Sequence, residues 1–78
     1  MASKAYNGHK NWNYWNVALW ISNDEPMYRM AKSYKRQYKN SKDAAEAFVQ
    51  DLADSGITQT PDGAPYSKSA VQAAIAGL

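Results

Sequence analysis

No cysteine occurs in this 78-residue chain. That one absence excludes disulfide staples, iron–sulfur sites, cysteine-ligated zinc and thiol nucleophiles, and it suits a reducing compartment. A chain of this length forms one domain and buries only about 60% of the surface its unfolded form exposes. Apolar side chains must therefore supply the whole stability margin. The composition provides for this: 45% of residues are hydrophobic, and the aromatics comprise three Trp, six Tyr and one Phe. We expect a single domain over residues 1–78. The chain is too short to wrap an enclosed substrate pocket around a cofactor, so neither an enzyme nor a cofactor is expected.

No stretch reaches the roughly 20 apolar residues that cross a bilayer; the longest apolar run is Val17-Ala18-Leu19-Trp20-Ile21. The first eight residues, Met1 to Gly8, carry no apolar core after Lys4 and do not read as a signal peptide. The expectation is a soluble, intracellular protein with no membrane partner.

Residue spacing predicts an all-α fold, a small bundle of three to four short helices. Residues 1–10 read as an extended arm, with Asn7-Gly8 as a turn and Tyr6 able to fold back on the Trp cluster. A helix over 11–22 has apolar residues around most of its circumference, the mark of burial on several sides. A second helix, over 24–39, opens on Asn23-Asp24-Glu25-Pro26, where a capping side chain, an acid and a first-turn proline all favour a start. Met27, Met30, Ala31, Tyr34 and Tyr38 then recur at intervals of three and four, an amphipathic stripe. A third helix, over 41–54, takes its cap from Asn40 or Ser41, turns Ala44, Ala45, Phe48, Val49, Leu52 and Ala53 inward, and stops at Gly56. Residues 57–66 form a loop around the turn signal Pro61-Asp62-Gly63. Ser67 or Ser69 caps a last helix over 68–76, Ala-rich, with little area to bury and expected to fray.

Charge is segregated along the chain. Arg29, Lys32, Lys35, Arg36, Lys39 and Lys42 fall in one stretch without an acid; Asp43, Glu46, Asp51, Asp54 and Asp62 follow without a base. The formal net charge of +2 hides this division. Two outcomes are open. Neighbouring helices pair these charges at their edges, where each surface pair contributes about 0–1 kcal/mol. Alternatively the basic helix stays free to meet phosphates or an acidic protein surface. Lys32, Lys35, Arg36 and Lys39 are the candidate contact residues, with Tyr28 and Tyr38 flanking them as stacking groups. The helix pair does not suit a helix-turn-helix, because its second helix is acidic and a duplex repels it.

Three Trp and one Tyr cluster in the first helix as Trp12, Tyr14, Trp15 and Trp20. Trp15 and Trp20 are expected in the core, where one aromatic covers about 150–250 Å². Trp12 and Tyr14, nearer the helix start, are candidate exposed anchors for a partner. Asn7, Asn11, Asn13 and Asn16 can close the N-terminal turn on the helix end. His9 is the sole histidine and has no cysteine or second histidine with which to hold a metal. The four glycines are dispersed and form no phosphate cradle.

The stretch from Tyr6 to Glu25, and in particular Trp15-Asn16-Val17-Ala18-Leu19-Trp20-Ile21-Ser22-Asn23-Asp24-Glu25, resembles a motif of small phage and prophage accessory proteins. Their pattern runs Asn-Gly, a short polar gap, then Trp-Asn-Val-Ala-Leu-Trp-Ile-x-Asn-Asp-Glu. The resemblance covers about the first third of the chain and carries no catalytic residue. It implies an accessory protein that binds a host machine in the host cytoplasm.

The resulting expectation is a phage-encoded protein–protein interaction module that inhibits a host protein or ribonucleoprotein, foremost a CRISPR–Cas effector (an anti-CRISPR), acting as a monomer or homodimer. A nucleic-acid-binding module that uses the same basic helix is the first alternative, and a modulator of host RNA polymerase is the second.

Overall fold

The computed structural model describes residues 10–78. The expectations for Tyr6, His9 and the arm before Lys10 fall outside the described residues. Four helices follow in order: α1 (Trp12–Asn23), α2 (Glu25–Gln37), α3 (Ser41–Asp54) and α4 (Lys68–Ala76). The fold is an all-α bundle, as the spacing predicts.

Each helix begins on a side chain that accepts a hydrogen bond from an otherwise unpaired backbone N–H of the first turn. Asn11 accepts from Tyr14 N at 3.0 Å, Asp24 from Met27 N at 3.2 Å, Asn40 from Asp43 N at 2.8 Å and Ser67 from Ala70 N at 3.2 Å. Such caps contribute about 1 kcal/mol each. Asp24 serves twice, because its own backbone N–H donates to Trp20 O at 2.9 Å and so also closes α1. The α1–α2 connection is accordingly a single residue.

The core is made of Val17 and Ile21 from α1, Ala31 from α2, Ala44, Ala45, Phe48 and Leu52 from α3, and Ala70, Val71, Ala74 and Ile75 from α4, joined by Ala64 and Tyr66. Phe48 is its largest fully enclosed side chain and meets the Tyr34 ring edge-on, with centroids 5.8 Å apart. The last helix is not the frayed appendage that its composition suggests. α4 packs against α3, α1 and α2, and Val71 and Ile75 are completely buried. Ala70 and Ala74 lie among these buried positions, and their small side chains let neighbouring helices approach closely.

Three further expectations are corrected. α2 ends at Gln37, and Tyr38 leaves it with extended dihedrals (φ −105°, ψ 150°), so Lys39 lies beyond the helix. Tyr38 is consequently exposed and rests on Tyr34, with ring centroids 5.8 Å apart. In α1 the enclosed residues are Asn16, Val17 and Ile21; Trp15 and Trp20 are only half-buried. These two tryptophans thus border the core rather than fill it.

The loop over 57–66 doubles back on itself. Thr60 N donates to Ala64 O, Gly63 N to Thr60 O and Tyr66 N to Thr58 O, at 2.8, 2.9 and 3.0 Å. Gly63 takes φ +96° at the turn and Gly56 takes φ +82° after α3, both in the left-handed region that a side chain disfavours.

Candidate interaction surfaces

The amphipathic stripe of α2 decides which of its residues meet solvent. Met27, Met30, Ala31 and Tyr34 turn toward the core, so Tyr28, Arg29, Lys32, Lys35 and Arg36 are left exposed on the other faces. Lys32 Nζ lies 5.6 Å from the Tyr28 ring centroid, a cation–π contact on the outer surface. Lys35 Nζ hydrogen-bonds the backbone carbonyl of Leu78. Lys39 and Lys42 are exposed between α2 and α3 and in the first turn of α3. Lys39 is therefore next to the helical basic face, not on it.

The basic and acidic helices do not neutralise each other. Among the described residues the one ion pair is Arg29–Glu25, at 2.9 Å within α2, with both side chains about three-quarters exposed. The link between α2 and α3 is instead the Tyr34 hydroxyl donating to Asp51. In α3, Asp54 accepts from Gln50 at 2.9 Å, one turn earlier. Lys32, Lys35 and Arg36 stay exposed on the side of α2 opposite the inward-facing Met27, Met30, Ala31 and Tyr34.

The two candidate anchors in α1 part company. Trp12 is exposed, at 39% of its full accessibility. Tyr14 is half-buried against the core, with Lys10 Nζ 5.7 Å from its ring centroid, which corrects the expectation of an exposed Tyr14. The structure groups Tyr28, Lys32, Lys35 and Arg36 on one helix and leaves Trp12 on another.

Asn16 and Trp20, one helical turn apart, both donate to Asp62 Oδ2 at 2.9 Å. Thr60 Oγ1 donates to Asn16 Oδ1 at 2.6 Å and accepts from Asp62 N at 3.2 Å and Ala64 N at 3.0 Å. Asn13 Nδ2 reaches Pro65 O at 3.4 Å. Asn13 and Asn16 therefore fasten the 57–66 loop to α1, whereas of the asparagines described only Asn11 closes the helix end. The hydrogen bonds from Asn16 and then Trp20 hold the Asp62 carboxyl below its ordinary pKa of 3.8, against a small opposing effect of desolvation. The sequence signal for this network is an asparagine inside an apolar helical stretch with a tryptophan four residues on.

With the loop pinned, an open groove of 780 Å³ runs along α2. Met27, Met30, Leu52 and Tyr66 line it, together with Trp20 and the exposed Ile57. Tyr66 donates its hydroxyl to Met27 Sδ at 3.4 Å. Burial, and secondly the Asp24 carboxylate, raise the Tyr66 phenol above its ordinary pKa. Among the described residues of the lining, Asp24 and Asp51 are the carboxylates and there is no Lys or Arg. Sequence reasoning missed this groove, because it joins α2 to the end of α3 and to the loop.

Among the described residues, no three His, Cys, Asp or Glu side chains come together to hold a metal ion. No described helix is long and apolar enough to cross a membrane. No curated protein and no solved structure matches the chain. A family profile matches residues 2–77, almost the whole length, and the chain belongs to DUF7249, a family of unknown function.

Proposed function

We propose that this protein is a phage-encoded interaction module that binds and inhibits a host protein or ribonucleoprotein in the host cytoplasm, foremost a CRISPR–Cas effector. The resemblance of residues 6–25 to small phage accessory proteins supports the origin. The observation that carries the binding role is the outer face of α2: Tyr28, Lys32, Lys35 and Arg36 are exposed, and no acid of α3 pairs with them. A positive face with an aromatic beside it suits an acidic protein patch or guide-RNA phosphates. Inhibition is steric and needs neither cofactor nor turnover.

The test is cleavage of target DNA by a panel of purified CRISPR–Cas effectors, with and without the protein. Stoichiometric inhibition of at least one effector is expected, lost when Lys32, Lys35 and Arg36 are replaced together by Glu in a chain that keeps its helical circular dichroism. Absence of inhibition throughout the panel overturns the choice of target. Inhibition that survives the triple replacement overturns the choice of surface.

The Tyr28–Lys32 contact also favours the nucleic-acid reading, because interleaved aromatic and basic groups stack on unpaired bases. An electrophoretic shift of single-stranded DNA or RNA at low salt, weakening steeply as salt rises, would select it.

A further inference from the structure

From the groove along α2 we infer a second binding surface, distinct from the basic face: a site for a polypeptide segment of the partner with an apolar centre and a Lys or Arg toward each end. The groove is 780 Å³ and open along its length, which suits a strand or helix of another chain better than an enclosed small ligand. Its floor is soft. Met27 and Met30 are unbranched and adapt to differing apolar side chains. Ile57, 42% accessible, offers its side chain at the edge, and Trp20 and Tyr66 add aromatic surface.

Charge selects the occupant. Asp24 sits at the start of α2, and Asp51 sits at the hydroxyl of Tyr34, ten residues along the helix. At 1.5 Å per residue Tyr34 lies about 15 Å beyond Asp24 along α2, so the two acids stand toward opposite ends of the stretch of helix that lines the groove. About five extended residues span this distance. With an acid toward each end and no Lys or Arg among the described residues of the lining, the groove favours a basic-apolar-basic segment and disfavours an acidic one. Both acids already have a structural partner, Met27 N for Asp24 and the Tyr34 hydroxyl for Asp51, so their positions are set before any ligand arrives. The protein would thus offer a partner two surfaces of opposite sign, the outer side of α2 for acids or phosphates and the groove for a basic segment.

The test is selection from a displayed library of random heptapeptides on the folded protein, followed by calorimetric titration of the synthesised winners. Enrichment of peptides with Lys or Arg flanking apolar residues is expected. Asp24→Asn combined with Asp51→Asn should weaken them about tenfold, about 1.4 kcal/mol for the two charge pairs together. The melting temperature should hold, because Asn caps a helix as well as Asp does and still accepts from Tyr34. Ile57→Ser should weaken the same peptides. The triple Glu replacement of Lys32, Lys35 and Arg36 should not, which separates this site from the basic face. Failure to enrich, winners without basic residues, or affinities unmoved by the Asp24 and Asp51 replacements overturn the inference. So does a concentration-dependent dimer in sedimentation that these two replacements abolish, because the occupant is then a second copy.

Discussion

The indole N–H of Trp20 donates to Oδ2 of Asp62 at 2.9 Å, joining residues 42 apart in sequence. Asn16 reaches the same oxygen. Two neutral donors on one carboxylate favour its ionised form. The loop that shapes one end of the apolar groove is therefore fastened to α1 by an acid.

Acid should loosen this attachment. Asp62 has a folded pKa below its ordinary 3.8, so the stability it contributes is complete above that pH and is lost as pH falls through the folded value. Asp62→Asn keeps an acceptor and removes the charge. Thermal melts between about pH 2 and 5 should fall less steeply with acid in the variant than in the parent.

Thr60→Val preserves shape and deletes the hydroxyl. The buried Asn16 oxygen loses its donor and the Ala64 N–H its acceptor. A cost of about 2 kcal/mol follows, a drop of roughly 10 °C in melting temperature for a domain of this size. Calorimetry checks it, and an unchanged melting temperature would show that the hydroxyl's bonds are replaced by water.

Gly63→Ala should cost about 1 kcal/mol. Its φ of +96° is strained for any L side chain, although a Cβ there meets no atom within 4 Å. Denaturant melts at matched slope measure this, and the loss should be one of backbone strain alone.

Phe48→Ala should cost about 3–5 kcal/mol, since the ring is fully buried in the core and meets Tyr34 edge-on. A domain of this length has roughly 4–12 kcal/mol in all. Much of the population should unfold at 37 °C, read as lost near-ultraviolet dichroism, while Phe48→Leu should remain folded.

Position on the basic stretch should grade partner binding. Arg36→Glu should weaken the partner complex more than Lys39→Glu, because Arg36 lies on the α2 face and Lys39 lies past its end. Matched affinities of the two variants in surface plasmon resonance would place the contact on the α2–α3 bend instead.

Local chemistry alone determined the helices. Capping side chains, proline in the first turn of α2 and apolar intervals of three and four act over a few residues, so α3 and α4 are legible to their ends. The same holds for Gly56 as the stop of α3 and for the exposure of Tyr28, Lys32 and Arg36, which follows from the buried stripe opposite them. The early end of α2 escaped, because the apolar spacing runs on to Tyr38 while the backbone turns away there toward the next cap at Asn40. Within the motif-bearing stretch, Asn16 and Trp20 tie down the loop, Val17 and Ile21 fill the core, and Asp24 caps α2. Intervals along one helix could not show the first of these roles, because the partners lie more than 40 residues away.

Tertiary structure alone decided three matters: that α4 sits at the centre of the packing, that the cations of α2 do not pair with the acids of α3, and that an apolar groove with an acid toward each end opens beside α2. Each depends on how helices and loop lie against one another. Spacing within a helix sets which face is buried. The side chains that a face meets are set by the packing of the whole chain.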